Sequence, residues 1–387
     1  MFATLVGAYP RTPLPGQPFR LRAAYGQLER GEIDAAALRA VQDELIRELL
    51  AEQLDAGLAL LTDGQVRWDD SQTVIARGLD GFEITGLLRY FDTNTYYRQP
   101  RVVAEPRWRG PILVEDWETA DALARALAEA RAEDARPVKA CLTGPYTLAR
   151  LSDCAELGRE RVTLALAEAF NQELKALATA GAPVLQVDEN ALTMIDREDV
   201  QERRLAAEAL RRLTDGVEFA HLSLAVTMGD AEGAGAALFY DAPFQSYLFD
   251  LCAGPDNWRL ISHAPSERGI IAGVADARTT RLDPREVMVW GARYAAALNG
   301  RGLDRVGLAP SAGLEYLPRD RAKTKIEALG EAAAVAAIGD PDELRSSLDP
   351  RAVDSRSAAL GRYEPGSGAP DPATVLAKIA REEGTEA

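Results

Sequence analysis

Short apolar runs alternate with amphipathic stretches along almost the whole chain, the pattern of a parallel sheet covered by helices. Eight runs read as strands: Thr4 to Ala8, Ala59 to Asp63, Val138 to Leu142, Val184 to Asp188, Leu222 to Thr227, Tyr247 to Leu251, Ile270 to Ala275 and Val306 to Ala309. The segments between them carry helical punctuation. Leu38, Val41, Leu45 and Leu49 recur at helical spacing until Gly57, and Asp283, Pro284 and Glu286 read as an N-cap, a first-turn proline and a capping-box glutamate. Eight strands with interleaved helices predict an α/β fold, a (β/α)8 TIM barrel, as a single domain over residues 1–338. One interruption, residues 66–111 after the second strand, is too long for a βα loop and rich in aromatics and arginine. It predicts a hairpin lid over the barrel mouth. Residues 339–387 turn to Asp, Pro, Ser and Gly, with a short capped helix from Asp371-Pro372 onward, and read as a C-terminal appendage. No fixed-period repeat argues for a solenoid or propeller.

Composition narrows the function classes. The chain is 47% hydrophobic and 27% charged, close to the soluble average, and has no run of about 18 apolar residues to span a bilayer. With 44 Lys plus Arg against 60 Asp plus Glu, the formal charge is -16, which repels nucleic acid and anionic membranes alike. The three cysteines are scattered and form no disulfide framework, and the N-terminus lacks a basic region ahead of an apolar stretch. These observations point to a cytoplasmic protein whose partner is a small molecule, with neither nucleic acid nor membrane as a target.

In a barrel of this kind, chemistry gathers at the C-terminal ends of the strands. Gly7 and Ala8 follow the first strand, Asp63 and Gln65 end the second, Thr143 follows the third, and Asp188 and Glu189 end the fourth. A strand-end carboxylate can bind an ammonium group while staying ionised, so Asp188 and Glu189 are the leading recognition residues; a structural ion pair with a lid arginine is the alternative. Gly7 lets backbone approach a ligand closely, while Gln65 reads as either a ligand contact or a solvated turn residue. Thr143-Gly144-Pro145 is a sharp turn into a helix. Arg67, Trp68, Tyr96, Tyr97 and Arg98 lie in or beside the lid segment, where cations and ring faces could hold an anionic or planar group; an aromatic lid packed on itself explains them as well.

Four segments, VGAYPRT (Val6 to Thr12), LLTDGQVR (Leu60 to Arg67), VKACLTGPYTL (Val138 to Leu148) and VLQVDENAL (Val184 to Leu192), resemble in order and spacing the catalytic C-terminal barrel of cobalamin-independent methionine synthase. GVADARTT (Gly273 to Thr280) and LAPSAGLEYLPRDRAKTKI (Leu308 to Ile326) extend the likeness, which covers about Thr4 to Gly330. The resemblance implies methyl transfer to homocysteine sulfur, amino-acid binding by Asp188, and help from Gln65 in holding the amino-acid end. It also implies a substrate-contacting serine where this chain has Ala8. The family's zinc ligands are a His-x-Cys after strand five, a glutamate after strand six and a cysteine in a turn after strand eight. Here LAVTMGD puts Ala225 and Thr227 at the first pair, YLFDLC puts Asp250 at the glutamate, and APSAGL puts Ala312 at the last cysteine. A single carboxylate is far short of the ligands zinc requires.

The expectation is therefore a methionine-synthase-like enzyme without zinc, with Asp188, Glu189 and Asp250 as catalytic residues and Gly7, Ala8, Asp63, Gln65, Thr143 and Arg98 as substrate-binding residues. Its reaction is methyl or alkyl transfer, or acid-base chemistry on a small amino-acid-like or carboxylated molecule. Whether the methyl donor is a folate or a corrinoid stays open. A substitute metal site of Asp250, Cys252 and Asp230 is the weaker reading, because a free cysteine is usually a small buried hydrophobe. Two rivals remain: a non-catalytic ligand-binding or regulatory homologue, and a methyltransferase subunit working with a partner protein that supplies the methyl donor.

Overall fold

The computed structural model describes residues 1–349. Among the described residues nine strands run in chain order: β1 (Phe2–Ala3), β2 (Leu79–Arg89), β3 (Tyr96–Trp108), β4 (Ala140–Thr143), β5 (Val184–Asp188), β6 (His221–Val226), β7 (Ser246–Asp250), β8 (Gly269–Ala275) and β9 (Val306–Pro310). Seven of them form one sheet in the order β1-β9-β8-β7-β6-β5-β4, every pair parallel. The central strands β7 and β9 are buried at every position, as expected when helices cover one face and the other faces an interior.

The anticipated second strand, Ala59 to Asp63, contributes isolated bridges instead. Thr4 bridges Leu60 and Leu61 bridges Val138, both in parallel, so this segment touches the two edge strands' neighbourhoods without forming a strand. Its ladder stops at Thr62 for a local reason. The buried Gln53 amide takes both backbone groups of that residue, accepting from Thr62 N at 2.9 Å and donating to Thr62 O at 2.9 Å. Gly64 and Gln65 then turn with left-handed backbones, φ 68° and 53°.

The helices follow the predicted punctuation with one correction. Asp34 caps the helix Ala35–Asp55 by accepting from Ala37 N at 2.8 Å, and Leu38, Leu45 and Leu49 are buried on it. Asp283, by contrast, does not cap the helix Arg285–Ala297; its Oδ2 accepts from the buried Lys325 Nζ at 2.7 Å, and the cap position falls to Pro284. An ion pair across elements outcompetes the local cap.

Strands β2 and β3 pair as an antiparallel hairpin within the segment 66–111. Its base is fixed to the rest of the fold at two points. Arg101 bridges Asp153, with Asp153 N donating to Pro100 O at 2.8 Å and Val102 N to Asp153 O at 2.9 Å. Beyond β3, the fully buried Glu173 on the helix Arg159–Ala180 accepts from Trp108 Nε1 (2.8 Å), Ile112 N (2.9 Å) and Leu113 N (2.8 Å). At the tip, Asp92 meets Arg278 through both carboxylate oxygens, at 2.9 and 3.2 Å.

The chain divides into two compact units, Met1–Ala337 and Ile338–Ala387. In the second, the described part contains a short helix, Pro341–Ser346, capped by Asp340. The helix anticipated from Asp371-Pro372 lies outside the described residues. Among the described residues no helix is long and apolar enough to cross a membrane.

Glu173 generates a stability prediction. Glu173→Ala strands buried donors on two sides of the hairpin's exit, and hydrogen bonds to a charged group are worth ~1.5–3 kcal/mol each, with a further cost for a donor left unsatisfied. The expected loss is about 3 kcal/mol or more in urea unfolding. A loss under about 1 kcal/mol would show that water replaces the carboxylate.

Candidate active site

The ends of β4, β5 and β6 converge, with the segments after β1, before the hairpin and after β9, on a cavity of about 310 Å³. Of the residues singled out from sequence, Gly7, Ala8, Gln65, Thr143, Asp188 and Thr227 line it. Gly7 has a steric reason to be glycine: the Gln65 amide nitrogen lies 2.7 Å from where a Cβ would be. Thr143 donates from Oγ1 to Ser71 O at 2.8 Å and so holds one wall. Ala8 contributes its backbone, its carbonyl accepting from Leu314 N at 3.0 Å.

Asp188 is held from below by a chain of interior polar groups. Residues i and i+2 of a strand share a face, so Gln186 and Asp188 point the same way, and Gln186 Nε2 donates to Asp188 Oδ1 at 2.7 Å and to Val6 O at 2.6 Å. Gln186 Oε1 in turn accepts from Lys139 Nζ at 2.6 Å, and that ammonium also donates to Leu5 O at 2.5 Å. Burial pushes the Asp188 carboxyl up to about 7, opposed by the Gln186 hydrogen bond and the Lys139 charge. Burial pushes Lys139 down. Such a carboxyl can take an ammonium group or a proton near neutral pH.

Trp68, Tyr96 and Tyr97 also line the cavity, while Glu189, Asp250, Asp63, Arg98 and Arg67 lie off it. Glu189 is fully buried and accepts from Tyr146 N (3.0 Å), Thr147 N (2.7 Å) and Thr147 Oγ1 (2.6 Å), pinning the start of the helix Pro145–Leu151. Gly144 is glycine because Glu189 fills the space: a Cβ there would lie 2.2 Å from its carboxyl carbon. Asp250 is likewise buried, its Oδ1 accepting from Cys252 N (2.9 Å) and Ala253 N (2.8 Å), and it shapes the turn after β7. Asp63 accepts from Gln65 N at 2.9 Å and lines a separate small void with Lys139 and Cys141. Arg98 is exposed, and its backbone N donates to Asp70 Oδ2 at 3.1 Å. Arg67 is spent on Asp43 and Asp116, both at 2.5 Å.

Several lining residues were not foreseen. Glu315 enters from the loop after β9, and its Oε2 has no hydrogen-bond partner among the described residues. Asn190 donates to Tyr90 Oη at 3.0 Å, while its Oδ1 accepts from Thr227 N and Oγ1, both at 2.9 Å. The signals were in view: AGLEYLP carries Glu315 in a strand-end loop, and LQVDENAL carries Asn190 beside the selected pair.

The family's metal positions do not fit zinc in this chain. Ala225 lies in an apolar cluster with Val6, Leu248, Ile271 and Ala309, and Ala312 is buried. Thr227 is engaged with Asn190. His221 is on the other end of its strand, sharing a 2.8 Å hydrogen bond with Ser246 Oγ, and Cys252 is exposed with its thiol pushed up to about 12 by burial of the sulfur and the nearby Asp250. Among the described residues no group of three or more His, Cys, Asp or Glu side chains converges as a metal site.

Comparison with known proteins assigns the class. A family model described as the N-terminal domain of cobalamin-independent synthase matches residues 62–288. The chain belongs to the cobalamin-independent synthase family, a methyltransferase-like family of enzymes. The motifs resemble the catalytic C-terminal barrel, whereas the matching model describes an N-terminal domain; membership of the superfamily is common to both. The methionine synthase of Saccharolobus solfataricus is 28% identical over 342 residues, covering 86% of this chain and 93% of that protein. That of Sulfurisphaera tokodaii is 34% identical over 191 residues, 49% of this chain and 52% of that protein. Among solved structures, the fold is shared with a B12-independent methionine synthase from Shewanella sp. in complex with selenomethionine, at a TM-score of 0.68 and 18% identity over 86% of this chain and 96% of that one.

The raised carboxyls give a pH prediction. Asp188 and Glu189 both titrate near 7 when folded, against ~3.9 and ~4.3 unfolded, so their burial is neutral to stability below the unfolded values and costs stability as pH rises through about 7. Asp188→Asn should therefore gain about 1 kcal/mol over the parent at pH 8 and nothing at pH 4, discounted for the residue's partial exposure. Urea unfolding at the two pH values checks it; an equal effect at both would show that the carboxylate's charge is not what costs.

Proposed function

We propose that this chain is a methyl- or alkyl-transfer enzyme acting on a small amino-acid-like thiol or carboxylated substrate, without zinc. The observation that carries the reading is Asp188, a strand-end carboxylate on the cavity wall, held in one orientation by Gln186 and Lys139. The ammonium of an amino acid is its natural partner. Gly7, Ala8, Gln65 and Thr143 form part of the surrounding wall, and Glu189 and Asp250 act by fixing the turns after β4 and β7 rather than by touching substrate. The resemblance to methionine synthase makes homocysteine the first substrate to test.

In this reading the fold is a closed (β/α)8 barrel, supported by the Thr4–Leu60 and Leu61–Val138 bridges, and the hairpin tip is a lid, supported by Tyr90, Thr95, Tyr96 and Tyr97 on the cavity wall. Such tips order around ligand. The alkyl acceptor's thiol has no metal to hold it as thiolate, since the chain has Ala225, Thr227 and Ala312 at the soft-ligand positions. It reacts in the small thiolate fraction present near pH 7 or with a carboxylate taking its proton.

Asp188→Ala should weaken homocysteine or methionine binding roughly tenfold or more, from the loss of a charge-assisted hydrogen bond of ~1.5–3 kcal/mol. Calorimetry on the folded variant measures it, and hydrogen exchange over residues 90–97 should slow when the parent is saturated. Unchanged affinity would remove Asp188 from recognition. A separate expectation is that protein purified without chelators carries no stoichiometric zinc, by elemental analysis. About one zinc per chain would overturn the metal-free reading.

A further inference from the structure

The cavity's charge and its walls both favour one kind of ligand. Its lining includes the carboxylates of Asp69, Asp70, Asp188 and Glu315 against a single Lys or Arg among the described residues, Arg11. Two of the four are already spent. Asp69 pairs with Arg77, and Asp70 accepts from Gln72 N (2.9 Å), Thr73 N (2.7 Å), Thr73 Oγ1 (2.6 Å) and Arg98 N (3.1 Å). Asp188 and Glu315 keep unsatisfied capacity. Asp188 is held through Oδ1 by a neutral amide, and Glu315 leaves Oε2 without a partner among the described residues. Arg11 acts on Glu315 through space, but its guanidinium already donates to the carbonyls of Val66 and Trp68.

Six aromatic residues also line it: Tyr9, Trp68, Tyr90, Tyr96, Tyr97 and Tyr316. Ring faces attract cations, and do so most for ions whose charge is spread over carbon and poorly hydrated. The volume of about 310 Å³ lies at the small end of the ~300–1,000 Å³ of ligand pockets. A polyanionic donor finds no free cation here, because Arg67 is locked between Asp43 and Asp116 and Arg98 lies off the wall.

We propose that the alkyl donor bound in this cavity is a compact onium ion, a sulfonium or a quaternary ammonium, held by Glu315 and the tyrosine rings beside an acceptor held by Asp188. The proposal rests on the alkyl-transfer reading. In the step, the acceptor sulfur forms a new bond to the donor's methyl carbon while the C–S or C–N bond breaks. The bonding pair goes to the departing heteroatom, which leaves as a neutral thioether or tertiary amine, and the acceptor thiol's proton goes to the Glu315 carboxylate. An onium group needs no proton to leave, so one carboxylate suffices for the proton balance.

The test is calorimetry on the full chain with trimethylsulfonium, choline and the uncharged tert-butyl analogue of choline, in which carbon replaces nitrogen. The charged probes should bind at least about tenfold more tightly than the uncharged one. Glu315→Gln should lose about tenfold, and Tyr96→Leu about threefold or more; Tyr96 is 60% exposed, so the second variant leaves the fold intact if the first does not. Equal binding of charged and uncharged probes, or tight binding of a polyglutamyl pterin with no onium binding, overturns the proposal. Homocysteine in the same instrument separates the two readings: Asp188-dependent homocysteine binding without onium preference sinks only the onium donor, and absence of both sinks the transfer reading as well. Mass spectrometry of mixtures with homocysteine then distinguishes the sources. Methionine formed with dimethyl sulfide identifies a sulfonium donor, methionine formed with dimethylaminoethanol identifies an ammonium donor, and onium binding without either product overturns the donor role.

Discussion

The interaction on which the site depends is the placement of one ammonium, Lys139 Nζ, inside the sheet. A buried lysine is costly unless its donors are met, and here they are met by Leu5 O and Gln186 Oε1. That arrangement fixes which way the Gln186 amide faces: with its oxygen on the ammonium, its nitrogen must point to Val6 O and Asp188 Oδ1. The Asp188 carboxylate is thus oriented through Gln186 by the Lys139 ammonium, and the segments carrying Leu5, Lys139 and Gln186 are tied together by the same contacts. Glu189 does comparable work next door, where its carboxylate replaces the side chain that Gly144 lacks and holds the first turn of the helix Pro145–Leu151.

Much of the sheet was legible because buried parallel strands announce themselves as short apolar runs, and β5 to β9 fall within a residue or two of the predicted spans. The second strand was not, since its apolar letters say nothing of Gln53, a helix residue whose amide captures Thr62 and ends the ladder. The same limit affected Asp283, which has the form of a cap but pairs with Lys325 from a distant helix. Local pattern reveals what a residue could do, and tertiary competition decides what it does.

The candidate site was legible where function and strand ends coincide. Gly7, Ala8, Gln65, Thr143 and Asp188 were selected by position and all line the cavity. Glu189 and Asp250 satisfied the same positional rule, yet Glu189 reaches across to the backbone donors that open the helix Pro145–Leu151, and Asp250 turns back on the donors of its own turn. A strand-end carboxylate in sequence is ambiguous between those fates, and alternation along the strand is one clue: Gln186 and Asp188 share the interior face that Glu189 does not. Glu315 and Tyr316 were harder, because they arrive from the loop after β9, which no periodicity describes.

Ala225 closes into an apolar cluster with Val6, Leu248, Ile271 and Ala309. Its consequence is evolutionary. An imidazole is much larger than a methyl group, and overpacking a closed core costs ~1–3 kcal/mol before any ligand geometry is gained. A histidine arriving at position 225 would need smaller neighbours to have appeared first, while cysteines at 227 and 312 would bring no benefit until it came. No single substitution therefore installs an imidazole here without cost, and the packing around one alanine bars the step from position 225.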